Sequence, residues 1–129
     1  MAAKTILIVD DDLQLARLLE VVFAEAGYRT IVAKDGAAAF VELEIAHPDL
    51  ILVDVFMPVI DGTTFGRIVR ANPATRDTPI IVMSGTASLD QVLPISIAGF
   101  LAKPFDTDVL LRLVAAVIGW PAAAEEGHE

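Results

Sequence analysis

Hydrophobic positions in this chain fall into two alternating kinds of segment. Short, nearly continuous apolar runs occur at Ile6-Leu7-Ile8-Val9, Leu50-Ile51-Leu52-Val53, Ile80-Ile81-Val82-Met83 and Phe100-Leu101-Ala102. A weaker one is Arg29-Thr30-Ile31-Val32-Ala33. Short runs rich in Val and Ile, without polar alternation, predict strands buried on both faces. Strands are expected over 5–9, 29–33, 49–54, 79–84 and 99–102. Between them, Leu15, Leu18, Leu19, Val22, Phe23 and Ala26 follow the i, i+3, i+4 spacing of a helix that Gly27 ends. Asp35 or Gly36 opens a second helix through Ala39, Phe40, Leu43 and Ala46, closed before His47-Pro48. Thr63 or Thr64 caps a third, with Phe65, Ile68 and Val69 inward and Asn72-Pro73 as its stop. A fourth is expected to begin near Ser88, and a fifth near Asp106 or Thr107, running to Gly119.

A strand–helix unit repeated in this way predicts an α/β fold: a parallel sheet with helices on both faces and right-handed crossovers. The second strand, the least apolar, suits an edge. The length of 129 residues suits one domain, expected over residues 1–120, with 121–129 a short acidic tail that is disordered. Val109 to Ala124 is the longest nearly apolar stretch, but Arg112, Gly119 and Pro121 break it, so it is too short to span a bilayer.

The chemistry sits where the apolar runs stop. Asp10-Asp11, Asp54, Ser84 and Lys103 each follow or close a strand-like run, and the carboxyl ends of parallel strands are where such sheets bind ligands. Three carboxylates brought together there repel unless a cation joins them, so the pattern points to a hard divalent metal and a phosphoryl group. Each residue also has a plainer reading. Asp12 is assigned to capping the first helix, Ser84 alone is uninformative, and Lys103 alone could be a surface charge. Asp54 is harder to dismiss, because a carboxylate after four apolar residues is costly without a partner.

Composition narrows the choices. A net charge of −9 and scattered basic residues argue against nucleic acid. The absence of cysteine excludes disulfides and thiolate chemistry, and fits a cytoplasmic setting. His47 and His128 are not at metal-ligand spacing.

Taken together, Ile6-Leu7-Ile8-Val9-Asp10-Asp11, Pro48-Asp49-Leu50-Ile51-Leu52-Val53-Asp54, Met57-Pro58 with Asp61-Gly62, Ile80-Ile81-Val82-Met83-Ser84 and Phe100-Leu101-Ala102-Lys103-Pro104-Phe105 resemble the receiver domain of two-component response regulators over about residues 4–120. The resemblance implies a doubly wound, flavodoxin-like (βα)5 fold with a five-stranded parallel sheet of order 2-1-3-4-5. It implies that Asp54 is the phosphoacceptor, and that Asp11, Asp54 and the carbonyl of Phe56 hold Mg²⁺ (or Mn²⁺) while Asp10 orients its waters. Lys103 would pair with a phosphoryl oxygen, Ser84 would donate to one on activation, and Phe100 would be the aromatic switch or plain core. The implied partners are a histidine kinase or histidine phosphotransfer protein and a downstream protein. The protein would not be an enzyme beyond its own phosphoryl transfer and autodephosphorylation.

Several positions depart from the family pattern. The segment between Ser84 and Lys103 is shorter than usual and holds Pro94, which predicts a short or bent fourth helix. Gly85 stands where alanine is commoner and loosens its loop. Phe56 is bulky for its position, which favours slow dephosphorylation unless the ring points sideways. The fifth helix carries only Asp108 and Arg112 as charges. Beside an inward face of Leu110, Leu113, Val114 and Val117 it keeps Leu111, Ala115 and Ile118, which with Trp120 suggest a partner or homodimer surface. The leading expectation is a stand-alone phosphoacceptor switch acting by protein contact or phosphorelay. The alternative is a scaffold whose contacts ignore phosphorylation. A phosphatase is disfavoured because Phe56 stands where its acid–base carboxylate would be.

Overall fold

The apolar runs become five strands: β1 (Thr5–Val9), β2 (Arg29–Ala33), β3 (Leu50–Asp54), β4 (Ile80–Ser84) and β5 (Gly99–Ala102). The computed structural model describes residues 3–57, 60–85 and 96–121. The strands pair in parallel in the order β2-β1-β3-β4-β5. The chain winds outward from β1 to β2, then returns to β3 and winds the other way. The carboxyl ends of β1 and β3 therefore flank the point where the order reverses, and a crevice opens there in such sheets.

Alternation along each strand divides the apolar runs between two cores. Leu7, Val9, Ile51, Val53, Ile80 and Val82 face Ala39, Leu43, Phe65 and Val69. Ile6, Ile8, Leu50, Leu52, Ile81 and Met83 face Leu19, Phe23, Leu110 and Val114. Helices α2 (Gly36–Ala46) and α3 (Gly62–Ala71) thus cover one face, and α1 (Leu13–Ala26) and α4 (Thr107–Ile118) the other. Burial on both sides is why β1, β3 and β4 lack polar alternation, while β2, at an edge, is only partly buried.

Every described helix is capped by an aspartate: Asp12, Asp35, Asp61 and Asp106 each accept a backbone N–H of the first turn. Gly27, at φ 102°, ends α1 as expected. The third helix starts earlier than expected. Asp61 is its cap, accepting from Thr64 N at 2.8 Å, because a carboxylate is a stronger cap than the threonines that follow.

Some inward assignments change. Leu18 and Ile68 are 52% and 43% exposed, while Ala16 is buried in α1. The helix expected fifth is α4. Its Leu111 and Ile118, read from sequence as surplus, are partly buried and pack against the second core, on the sheet face that α4 covers. Val109 and Trp120 remain exposed. Ser88 and Pro94, on which the short fourth helix rests, lie outside the described residues, as do Pro58, residues 122–129 of the tail and His128. No helix among the described residues is long and apolar enough to cross a membrane.

Candidate functional site

Parallel pairing in register brings the strand ends level. Asp54 closes β3 opposite Met83 of β4, and Ser84 closes β4 opposite Ala102 of β5. Lys103 follows at once, its backbone N–H donating to Ser84 O at 2.7 Å. Asp10 follows β1 and is wholly buried, with its own N–H donating to Ala33 O at 3.1 Å. The polar residues that interrupt the apolar runs therefore meet at one rim.

The lysine binds two carboxylates. Its Nζ lies 2.9 Å from Asp10 Oδ2 and 3.3 Å from Asp54 Oδ2. The other oxygen of Asp10 accepts from Asp12 N at 2.9 Å. Among the described residues, that of Asp54 accepts a long bond from Phe56 N at 3.4 Å. Asp12 turns away to cap α1, accepting from Gln14 N and Leu15 N at 3.1 and 3.2 Å. Its assigned role as a cap is thereby met.

Charge at the rim does not balance. Asp10, Asp11 and Asp54 each bring an oxygen within 4.8 Å of the others. Three carboxylates against the one ammonium of Lys103 leave two negative charges in excess. Burial holds the Asp54 carboxyl above its usual range; Lys103 opposes this and Asp10 adds to it. For Lys103, burial pulls its affinity for a proton down, but the hydrogen bond and charge of Asp10, with Asp54, raise it overall. An all-oxygen donor set with surplus negative charge and one exposed member, Asp11, suits a hard cation such as Mg²⁺ or Mn²⁺.

The remaining sequence-derived residues take clear places. Ser84 is buried at the rim. Phe100, paired with Val82, is half-buried against the first core. Phe56 is 54% exposed and lines a hollow with Asp61, Thr63, Thr64 and Arg67, so its ring lies toward the start of α3. Among the described residues, a side-chain methyl at Gly85 would meet Lys103 Cβ, at 4.0 Å. His47 caps α2 in the left-handed region, φ 48°, away from this rim.

Two contributions were not visible in the sequence. Asp10, rather than Asp54, is the closer partner of Lys103, a contact across 93 positions with no local signal. Gly62, noticed only as part of a motif, presses directly on the backbone of Asp54 and Val55.

Comparison with known proteins agrees with this geometry. Residues 6–115 match the family model of the response regulator receiver domain. Protein PilG of Pseudomonas aeruginosa is 31% identical over 114 residues, 86% of this chain and 84% of that protein. The chemotaxis protein CheY4 of Vibrio cholerae superposes with a TM-score of 0.85 at 30% identity, covering 90% of this chain and 99% of that one. A receiver domain from a sensor histidine kinase of Pseudomonas aeruginosa, described with a magnesium ion coordinated in its active site cleft, gives a TM-score of 0.83 at 33% identity, covering 92% and 99%. Other curated relatives are longer, and the chain spans 25%, 17% and 53% of three of them. Sequence, fold and rim chemistry converge: the chain belongs to the response regulator receiver domain family of two-component signalling.

Proposed function

We propose that the protein is a phosphoacceptor switch in which Asp54 receives a phosphoryl group from a phosphohistidine of a kinase or phosphotransfer protein. The observation that carries this reading is the unbalanced rim: Lys103 held between Asp10 and Asp54, with a third carboxylate beside them. An oxygen of Asp54 would form the new bond to phosphorus as the P–N bond of the donor breaks, its electron pair leaving with the imidazole nitrogen. Asp54 would supply the nucleophile, and the bond its second oxygen accepts from Phe56 N is long, at 3.4 Å. Lys103, now 3.3 Å from Asp54, would follow the charge from carboxylate to phosphoryl oxygen. Asp11, Asp54 and the Phe56 carbonyl would hold Mg²⁺, with Asp10 ordering its waters. When bound there, the metal supplies positive charge for the transferring phosphoryl oxygens.

A protein donor fits the surroundings. Beside Lys103 lies a mainly apolar hollow of about 390 Å³ lined by Leu15, Leu18, Leu19, Pro104 and Phe105. Leu13, Leu18 and Val21 are each about half exposed on α1, as a macromolecular contact would use them. Output would pass by protein contact, to a downstream target or a second copy. The large exposed apolar residues available for it at this helix are Val109 of α4 and Trp120, just beyond the helix end. We place the protein in the cytoplasm.

Incubation with Mg²⁺ and a small acyl phosphate, read by intact mass, tests the proposal. One phosphoryl group should appear on the wild type and none on Asp54→Ala. Phosphate on Ser84 or His47 would overturn the assignment. A wild type that never gains mass would leave the scaffold reading in its place.

A further inference from the structure

Gly62 is the first residue of α3, and its backbone lies against the end of the acceptor strand. A Cβ there would overlap the carbonyl oxygen of Asp54 and stand 2.8 Å from the Cα of Val55 and 3.0 Å from the carbonyl carbon of Asp54. These are backbone atoms, so no rotamer change relieves the overlap. The close approach makes a bond: Gly62 N donates to Val55 O at 2.7 Å. From the other side, Val55 N donates to Met83 O at 3.0 Å. The two peptide groups after the acceptor are thus gripped between β4 and the first turn of α3.

We propose that Gly62 is a positioning residue for the metal site, fixing where the Phe56 carbonyl stands by letting α3 clamp the backbone one residue before it. The inference rests on the reading above, in which that carbonyl is a metal ligand. A side chain at 62 must displace something. β3 is paired along its length with β1 and β4 and resists. Among the described residues, the start of α3 has no strand pairing; it is held by the Asp61 Oδ1 bond from Thr64 N, the Asp61 O bond from Phe65 N and the Gly62–Val55 bond itself. The helix start therefore lifts, the Val55 carbonyl loses its donor, and Phe56 is left anchored from one side.

The test is calorimetric titration of Mg²⁺ and, separately, Ca²⁺ into wild type, Gly62→Ala and Gly99→Ala. Gly99→Ala is the control, since its new Cβ would meet the Leu113 side chain at 3.0–3.4 Å on the edge strand, a contact that can yield by rotation. Gly62→Ala should weaken Mg²⁺ binding by about tenfold or more, the usual effect of losing a support behind a metal ligand. Ca²⁺ should lose less, because Mg²⁺ demands near-octahedral geometry and Ca²⁺ tolerates displacement. Gly99→Ala should lower the melting temperature yet keep both affinities. Unchanged Mg²⁺ affinity in Gly62→Ala, or an equal loss for both ions, overturns the inference. A wild type that binds no Mg²⁺ defeats the functional reading instead. Should Gly62→Ala fail to fold in plain buffer, all three proteins are titrated in enough trimethylamine N-oxide to give it a cooperative melt, and the same outcomes decide.

Discussion

Lys103 and Arg70 are both partly buried cations, one at each rim of the sheet, and they are satisfied in opposite ways. The Arg70 guanidinium, near the end of α3, donates to neutral carbonyls: Ser96 O at 3.1 and 2.9 Å, Arg76 O at 2.9 Å and Thr78 O at 2.7 Å. Burial lowers its affinity for a proton, and Asp77 only partly offsets this. That network joins the chain before β4 to the chain before β5 and leaves the guanidinium well supplied with acceptors. Lys103 instead faces more carboxylate than it can neutralise. A cation surrounded by carbonyls ties the fold together, whereas one outnumbered by carboxylates marks a place where further positive charge is wanted.

Removing each cation in turn should separate these roles. Lys103→Met leaves Asp10 wholly buried and uncompensated, so stability in Mg²⁺-free buffer should fall by about 3 kcal/mol, read from urea midpoints. Because the folded-state value of Lys103 lies above its ordinary 10.5, the pair stabilises fully below pH 10.5. That stability is lost as pH rises through the folded value. The wild-type advantage over Lys103→Met should accordingly shrink in that alkaline range. An equal midpoint at neutral pH would mean that the lysine is not what holds the carboxylates together.

Arg70→Ala should cost about 2 kcal/mol through the carbonyls it deserts, while the Mg²⁺-induced rise in melting temperature stays at its wild-type size. A diminished rise would mean that the far rim is coupled to the site, and the contrast would fail. In the other direction, Asp54→Asn should melt about 3 °C above wild type in Mg²⁺-free buffer at pH 7. Its folded-state carboxyl binds protons more tightly than the ordinary 3.8, so Asp54 costs stability as pH rises through that window. The gain from Asn should vanish below pH 3.8 and reverse in excess Mg²⁺. The smallest effect without metal belongs to Asp11→Asn, an exposed site worth about 0.5 kcal/mol or less. With Mg²⁺ at about a hundredfold over its Kd, wild type should gain roughly 2.7 kcal/mol and Asp11→Asn clearly less. Equal gains would remove Asp11 from the ligand set.

How much of this could be read from the chain depended on whether the cause was local. The strands agree with expectation to within a residue because burial on both faces writes itself as an unbroken apolar run. The caps Asp12, Asp35 and Asp106 were legible for the same reason, since a cap acts within three residues. The convergence of Asp10, Asp11, Asp54, Ser84 and Lys103 followed from knowing that parallel strands end together. Their pairing did not, because the preference of Lys103 for Asp10 depends on side-chain reach across the crevice. The surplus of α4 was misjudged because helical periodicity says which residues share a face but not how deeply the helix is set. Leu111 and Ile118 are consequently half-buried against the second core, whereas Val41 and Ile45 of α2, which drew no notice, are 58% and 72% exposed. Gly62 stood in plain view, yet its reason is a distance to another segment.

The strand order bears on how a signal could leave the site. β3, which carries Asp54, is braced on both flanks by β1 and β4. β5, with four residues and a strand neighbour on one flank, is the least paired strand on the Ser84–Lys103 side. A phosphoryl group added at Asp54, as proposed, would therefore push against a strand paired on both flanks. Displacement should travel sideways, from the fixed strand through Ser84 to the yielding one, where Phe100 sits half-buried. On the proposed function, the fold would work as a lever with its fulcrum at Asp54 and its free arm at β5.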